Sequence, residues 1–276
     1  MLGVVSSIDL IALDLDGTLL NPDESISPAN RAAIADALLI GVRVVLVTGR
    51  GVDTPALIAR DLGLNLPVIC AHGALTKDFV QNKVLGHIPV PLQYAGPMIE
   101  YAELNELDLA VYVEERFFRL EGAHRYMDDQ QGPSWKDLTS FTEIAGRAPT
   151  FMRFLGHDSV EAMREAFSDF PLHFKYESWG EFEECAVTSR EATKKHALER
   201  LCADLQIPPS RVLAVGDSRN DVPMMRWAGI GVAMGNALPE VRNAVEHVTD
   251  ANTEDGVARA IERYVLQPKN DQEKSA

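Results

Sequence analysis

The first eighty residues alternate short apolar runs with amphipathic stretches, and that rhythm restricts the chain to few architectures. Residues 8–13 (IDLIAL) have the length and apolarity of a buried strand, which ends at Asp14. Ser27-Pro28 reads as an N-cap followed by proline at the first helical position, opening a helix through about Leu39 that Gly41 ends. VRVVLVTG (42–49) is a β-branched run of strand length. A helix over about 52–62, stopped at Gly63, and a strand PVICA (67–71) follow. Strand–helix–strand–helix–strand with short connections predicts a parallel sheet with right-handed crossovers.

The pattern returns in the last ninety or so residues. A helix near 193–205 carries Lys194, Pro208-Pro209 break the chain, and RVLAVGD (211–217) is a strand that again ends in aspartate. A helix from Asp221 to about Ala228, a strand GIGVAM (229–234), a helix over 238–246 and a last one from about Glu254 to Leu266 complete the series, before a polar tail. Residues 81–189 have another texture: a hairpin in DLAVYVEERFFRL (108–120), strand candidates at 171–176 and 182–187, and helices near 91–104 and 158–168. The expectation is an α/β fold: a Rossmann-like parallel-sheet core from 1–80 and 190–276, with an inserted α+β cap domain over 81–189.

With 276 residues, 46% of them apolar, the chain can bury large cores without staples. Cys70, Cys185 and Cys202 stand apart with no CxxC pair, which is not a disulfide framework and suits a reducing cytosol, so a cytoplasmic location is expected. The start, MLGVVSSIDLIALDLDG, has no basic residue ahead of its apolar run and is read as neither signal peptide nor membrane span. A net charge of −15 argues against nucleic acid or anionic membrane as partners. An anionic substrate would need a local positive site.

In an open parallel sheet, ligands gather beyond the carboxyl ends of the strands. Asp14 and Asp16 follow the first strand, Thr48 the second, and Asp217, Asn220 and Asp221 the strand at 211–215; Lys194, near the start of its helix, can reach the same crevice. Carboxylates converging on one point repel unless a cation sits among them, and magnesium suits a site that also takes phosphate. Asp217 and Asp221, one helical turn apart, can face one ion. Asp14 can give one oxygen to it while the other attacks phosphorus. Asp16 reaches the leaving oxygen if the chain turns sharply at Gly17. The donors for the equatorial oxygens are Lys194, the Thr48 hydroxyl and loop N–H groups, Gly49 among them. Asp14 has to be ionised and Asp16 protonated, so Asp16 is expected to have the higher pKa of the two.

DLDGTLL (14–20), VTGR (47–50), a lysine heading a helix and GDSRND (216–221), in that order, resemble the haloacid dehalogenase-like phosphatases. GIGVAMGNALPEVRNAVEHVTDANTEDGVARAI (229–261) is similar to their Cof-type subgroup, which carries a large α/β cap between the second and third motifs. The resemblance implies Asp14 as nucleophile and Asp16 as general acid and base, with Thr48 and Lys194 as phosphate holders. It also implies Asp217 and Asp221 as Mg2+ ligands, helped by the Asp16 main-chain oxygen, and places Asn220 in the site lining. Two positions depart from the family pattern. Lys194-Lys195 stands where Lys-Gly is usual; spacing to Ala197-Leu198 selects Lys194, with Lys195 the other candidate. His72-Gly73-Ala74 replaces Asn-Gly-Ala, which leaves the role of position 72 open.

The expected activity is hydrolysis of a small phosphorylated metabolite (a sugar, nucleotide or cofactor phosphate) by a monomer or homodimer. A phosphomutase would need a bisphosphate activator and a positive cap. A receiver-like phospho-acceptor would be half this length without an acid two residues after the nucleophile, and a dehalogenase would not use an Asp16-type acid. Arg50 is read as a surface or ion-pair residue. In the cap, Arg153, Lys175, Trp179 and Glu181 are candidates to face the crevice, Phe117-Phe118 reads as cap core, and the histidines lack zinc spacing.

Overall fold

A computed structural model describes residues 8–122, 135–179 and 182–267. The first half of the core runs β1 (Leu10–Leu13), α1 (Pro28–Leu39), β2 (Arg43–Leu46), α2 (Asp53–Asp61), β3 (Val68–Cys70), β4 (Leu75–Asp78) and β5 (Lys83–His87). The cap follows as α3 (Leu92–Leu104), β6 (Leu109–Val113), β7 (Arg116–Leu120), β8 (Trp135–Leu138), β9 (Phe151–Leu155), α4 (His157–Phe167), β10 (Leu172–Trp179) and β11 (Phe182–Ser189). The chain returns through α5 (Lys194–Asp204), β12 (Val212–Gly216), α6 (Val222–Trp227), β13 (Ile230–Ala233), α7 (Pro239–Arg242), β14 (His247–Val248) and α8 (Gly256–Ile261).

The core sheet is parallel throughout, in the order β14-β13-β12-β1-β2, so β1 lies between β2 and β12. Alternation along these strands feeds two cores. Ile11, Leu13, Val44 and Leu46 pack with Ile34 and Ile261 on one face, and Leu10, Ala12, Val45 and Val47 pack with Leu198, Leu201 and Met224 on the other. The N-cap read from sequence is present, the Ser27 hydroxyl accepting the Asn30 N–H at 3.1 Å, and the Thr193 hydroxyl caps α5 in the same way, accepting the His196 N–H at 3.1 Å.

Three elements differ from the sequence expectation. The strand at 67–71 joins the parallel sheet through only one bridge, Val47 with Ile69, and pairs mainly with β4 in an antiparallel sheet β3-β4-β5. The cause is the turn after it, where Ala71, His72 and Gly73 have φ of 50°, 56° and 97° and reverse the chain. Residues 83–87 therefore pair with 75–78, beside the core. The helix expected over 238–246 is only Pro239–Arg242, and the last helix begins at Gly256 and ends in a wider turn over Glu262–Leu266.

The cap sheet runs β10-β11-β9-β6-β7-β8. One face buries Val111, Met152, Phe154, Cys185 and Val187 under α3 and α4; the other turns Ala110, Tyr112, Phe117 and Phe151 toward the core. Phe117 and Phe118, adjacent in the strand, thus serve opposite faces, and only Phe118 belongs to the cap's own core. The Val52 N–H donates to the Tyr112 hydroxyl at 3.0 Å, and Lys77 pairs with Glu115 at 2.5 Å, tying cap to core. All three cysteines are buried and unbridged. Among the described residues no helix is long and apolar enough to cross a membrane.

Candidate active site

Because β1 and β12 are neighbours in register, their carboxyl ends bring Asp14 beside Asp217 and the loop that follows it. The Asp14 N–H donates to Val215 O at 3.1 Å, which fixes the nucleophile candidate against the adjoining strand end. Past it the chain turns at Gly17, whose φ is +72°. A Cβ there would stand 2.4 Å from Asp217 Oδ2, so the close approach needs glycine on two counts. Thr18 Oγ1 donates to Asp217 Oδ1 at 3.1 Å.

Asp221 is fully buried and its Oδ2 accepts from Asp217 N–H (3.2 Å), Ser218 N–H (3.0 Å) and Ser218 Oγ (3.0 Å). A Cβ on Gly216 would fall 2.4 Å from Asp221 Cβ, which is why the strand ends in glycine. Lys194, first residue of α5 and buried, places Nζ 2.6 Å from Asp14 Oδ1 and 2.7 Å from Asp221 Oδ1. Gly73 lets the loop after β3 pack on the start of that helix, since a Cβ there would meet Thr193 O at 2.2 Å.

Asp14, Asp217 and Asp221 offer carboxylate oxygens that lie within 4.8 Å of one another. Burial and then the Asp221 charge raise the Asp14 pKa well above the ordinary carboxylate range, with Lys194 pulling the other way. The same two causes push Asp217 up to about 6. Burial opposes the charge on Lys194, yet Asp14 and Asp221 outweigh it and hold its pKa above the usual lysine range. One ammonium does not balance three carboxylates, and hard oxygen donors short of positive charge fit a divalent cation such as Mg2+.

The Asp16 carboxylate stands apart from this group. Its side chain is 54% exposed and turns to Arg50, which donates from Nη2 at 2.6 Å and from Nε at 3.0 and 3.1 Å; the same Nη2 reaches Glu24 at 2.7 Å. Burial and like charge act on Asp14, whereas the exposed Asp16 carboxylate is held by Arg50. Arg50 is the ion-pair residue expected from sequence, and the structure adds that its partners are Asp16 and Glu24. Its place directly after Thr48-Gly49 was the available signal.

The Thr48 hydroxyl, fully buried, accepts the Arg50 N–H at 3.1 Å, so its own proton is not used in that bond. Gly49 is packed by His72: a Cβ would sit 2.3 Å from the imidazole Cε1. His72 Nδ1 is 3.2 Å from Asn220 Nδ2, and its ring meets Phe151 of the cap edge-on at 6.2 Å. Position 72 thus links the second and fourth motifs to the cap. Burial, followed by the charges of Lys175 and Lys194, keeps the imidazole neutral by holding its pKa well below 6.5. Lys195 turns away to Glu199 at 2.7 Å, so of the two adjacent lysines the fold brings Lys194 to the site.

Further support was not read from sequence. Asn236 Nδ2 donates to Gly17 O at 2.8 Å, its Oδ1 accepts from Asn252 N–H at 3.0 Å, and Asn252 Nδ2 donates to Leu20 O at 2.8 Å. On the cap, Arg153 is paired to Glu184 and Lys175 to Glu177. Glu181 and the side chain of Trp179 lie outside the described residues. A second group of possible ligands, His157, Glu161 and Glu183, is a partly exposed cluster on the cap, with His157 Nδ1 3.3 Å from Glu183.

The sequence model of the haloacid dehalogenase-like hydrolases matches residues 11–261. The chain is 32% identical over 267 residues to the 5-amino-6-(5-phospho-D-ribitylamino)uracil phosphatase of Bacillus subtilis, covering 94% of this chain and 96% of that one. It is 28% identical over 272 residues to a pyridoxal phosphate phosphatase of Escherichia coli, covering 93% and 98%. A solved haloacid dehalogenase-like hydrolase from B. subtilis superposes with a TM-score of 0.79 at 27% identity, over 93% of this chain and 99% of that one.

Proposed function

Because the chain belongs to the haloacid dehalogenase-like hydrolases, among relatives named as phosphatases, we propose that it is a magnesium-dependent phosphatase that hydrolyses small phosphate monoesters through an aspartyl-phosphate on Asp14. The observation that carries this reading is the buried Asp14 carboxylate, 2.6 Å from Lys194 and grouped with Asp217 and Asp221.

Asp14, Asp217 and Asp221 would hold Mg2+, which when bound supplies positive charge that favours ionised Asp14 and neutralises the phosphoryl oxygens. An Asp14 oxygen attacks phosphorus as the bond to the leaving oxygen breaks. Asp16 gives that oxygen its proton, then takes one from the water that attacks the phosphoenzyme and restores the Asp14 carboxylate. Lys194, the Thr48 hydroxyl and the Gly49 N–H are the donors for the three equatorial oxygens, so the barrier is lowered mainly by placement and charge. Asp16, both of whose oxygens accept from Arg50 here, has to leave that pair and carry a proton before it can serve the leaving oxygen.

The partner is a small phosphorylated compound, and a cytosolic setting agrees with three unbridged cysteines. The test is phosphate release from a panel of sugar, nucleotide and cofactor phosphates, with Mg2+ and with EDTA, for the wild type and Asp14→Asn. Mg2+-dependent release that Asp14→Asn abolishes is expected; full activity in that variant would overturn the mechanism.

A further inference from the structure

Residues 229–261 supply none of the groups proposed to meet the substrate, yet two of their asparagines reach back 219 and 232 residues to the loop after β1. Asn236 Nδ2 donates to Gly17 O at 2.8 Å, and Asn252 Nδ2 donates to Leu20 O at 2.8 Å. Asn236 Oδ1 accepts the Asn252 N–H at 3.0 Å, so the two amides form one unit. That unit is itself seated on the core sheet. The Met234 N–H donates to Gly216 O at 3.0 Å, beside Asp217, and the Gly235 N–H donates to Asp250 O at 3.0 Å. A Cβ on Gly235 would stand 2.8 Å from Ala251 N, so glycine there lets the two segments touch.

The two carbonyls held this way belong to the turn that carries Asp16. Gly17 has the widest backbone freedom in that turn, and its carbonyl is the group Asn236 takes. The peptide joining Gly17 to Thr18 is pinned at both ends: its oxygen accepts from Asn236, and its N–H donates to Leu15 O at 3.2 Å. Further along, the Leu19 and Leu20 N–H groups donate to Asp14 O and Leu15 O at 3.3 and 2.9 Å, and Asn252 takes Leu20 O. The Asp16 carboxylate itself is held at the surface by Arg50. An exposed ion pair fixes a side chain weakly, so the direction of Asp16 depends on its main chain.

We infer that Asn236 and Asn252 are positioning residues for the acid. By holding Gly17 O and Leu20 O they fix the main chain at Asp16, so that a turn of its side chain alone carries the carboxyl from Arg50 to the leaving oxygen. The inference rests on the phosphatase reading above. Its chemical signature lies in the leaving group. An alkoxide departs poorly without a proton, whereas 4-nitrophenolate departs without one. A displaced acid therefore slows an alkyl ester and spares the aryl ester. Thr18 also donates to Asp217, so a loop that shifted as a whole would disturb the carboxylate cluster and slow both esters alike.

The test is kcat/KM with Mg2+ for 4-nitrophenyl phosphate and for the fastest alkyl ester of the panel above, in the wild type, Asn236→Asp and Asn252→Ala. This constant reports the steps up to the phosphoenzyme, where the acid acts on the leaving group. Asn236→Asp loses the donor to Gly17 O and keeps the acceptor for the Asn252 N–H. The ratio of alkyl to aryl rates should fall about tenfold in each variant, part of the 10²–10⁴ that acid help supplies. Asn236 is exposed, so its variant carries the comparison if Asn252→Ala does not fold. A ratio within about threefold of the wild type's, whether both rates hold or both fall, overturns the inference. If the wild type hydrolyses neither ester, the phosphatase reading fails separately, and amide hydrogen exchange decides. Exchange at Thr18, Leu19 and Leu20 about tenfold faster in Asn236→Asp supports the clamp on the Asp16 turn, and unchanged exchange overturns it.

Discussion

Arg50 takes the Asp16 carboxylate from two nitrogens, Nη2 at 2.6 Å and Nε at 3.0 Å, and so holds the candidate acid on a half-exposed loop. Exposed ion pairs add only about 0–1 kcal/mol to stability, so the pair's value lies in position. Arg50→Gln is expected to slow turnover about tenfold, part of the 10²–10⁴ that acid–base help supplies. Its unfolding free energy should move by less than about 1 kcal/mol. Steady-state kinetics beside a denaturant titration check both; unchanged kcat would remove Arg50 from the mechanism.

Lys194 is buried between Asp14 and Asp221, whereas its neighbour Lys195 pairs with Glu199 at the surface. Lys194→Met strands the Asp14 and Asp221 carboxylates in a buried setting and should cost about 3–5 kcal/mol in EDTA, along with turnover. Lys195→Met loses only a surface pair with Glu199 and should stay within about 0.5 kcal/mol, with activity retained. Similar losses in the two variants would contradict the placement of Lys194.

Gly17→Ala puts a methyl group into the space of Asp217 Oδ2 and a side chain onto a φ of +72°. Asp217 has to move, so the Mg2+ concentration for half-maximal activity should rise tenfold or more, with about 1 kcal/mol lost from the strained backbone. A metal titration identical to the wild type's counts against Asp217 as a ligand.

The neutral imidazole of His72 sets a pH slope. The unfolded chain protonates this group below about 6.5 and the folded chain does not, so stability is complete above that pH and lost as pH falls, at about 1.4 kcal/mol per unit, until the folded pKa is reached. Asp217 works in the opposite sense: raised to about 6, it contributes stability at low pH that is lost as pH rises from 3.8 through 6. The difference between the wild type and His72→Asn isolates the histidine, and asparagine accepts the positive φ. Between pH 6.5 and 5.5 the wild type should lose about 1 kcal/mol more than the variant by denaturant titration. Parallel losses would mean that His72 takes up its proton in the folded state.

Much of the site was legible because its parts are local. A strand that leads into Asp14, a strand that leads into Asp217 and a helix headed by Lys194 are read from a few consecutive residues each. What escaped depends on direction or register. Arg50 is a long side chain whose partner, Asp16, is 34 residues away. The β4–β5 hairpin offers no alternation, since residues 83–87 are mostly exposed. Glu184 is one of three glutamates in EFEEC, and only its register, opposite Leu155 and two residues from Ala186, selects it for the side that faces the core.

Placing β1 between β2 and β12 has a consequence for the order of assembly. The neighbour that fixes Asp14 is made last: Asp9, just before β1, pairs with Arg211, 202 residues later. A chain emerging from the ribosome can fold its cap as a local unit while β1 still lacks one edge, and the folded cap then brings the two ends closer, which lessens the entropy of closing so long a loop. Asp217 and Asp221 therefore join Asp14 late, when Val212–Gly216 docks, and a chain cut short before that strand would carry Asp14 and Lys194 without the two carboxylates that complete the cluster.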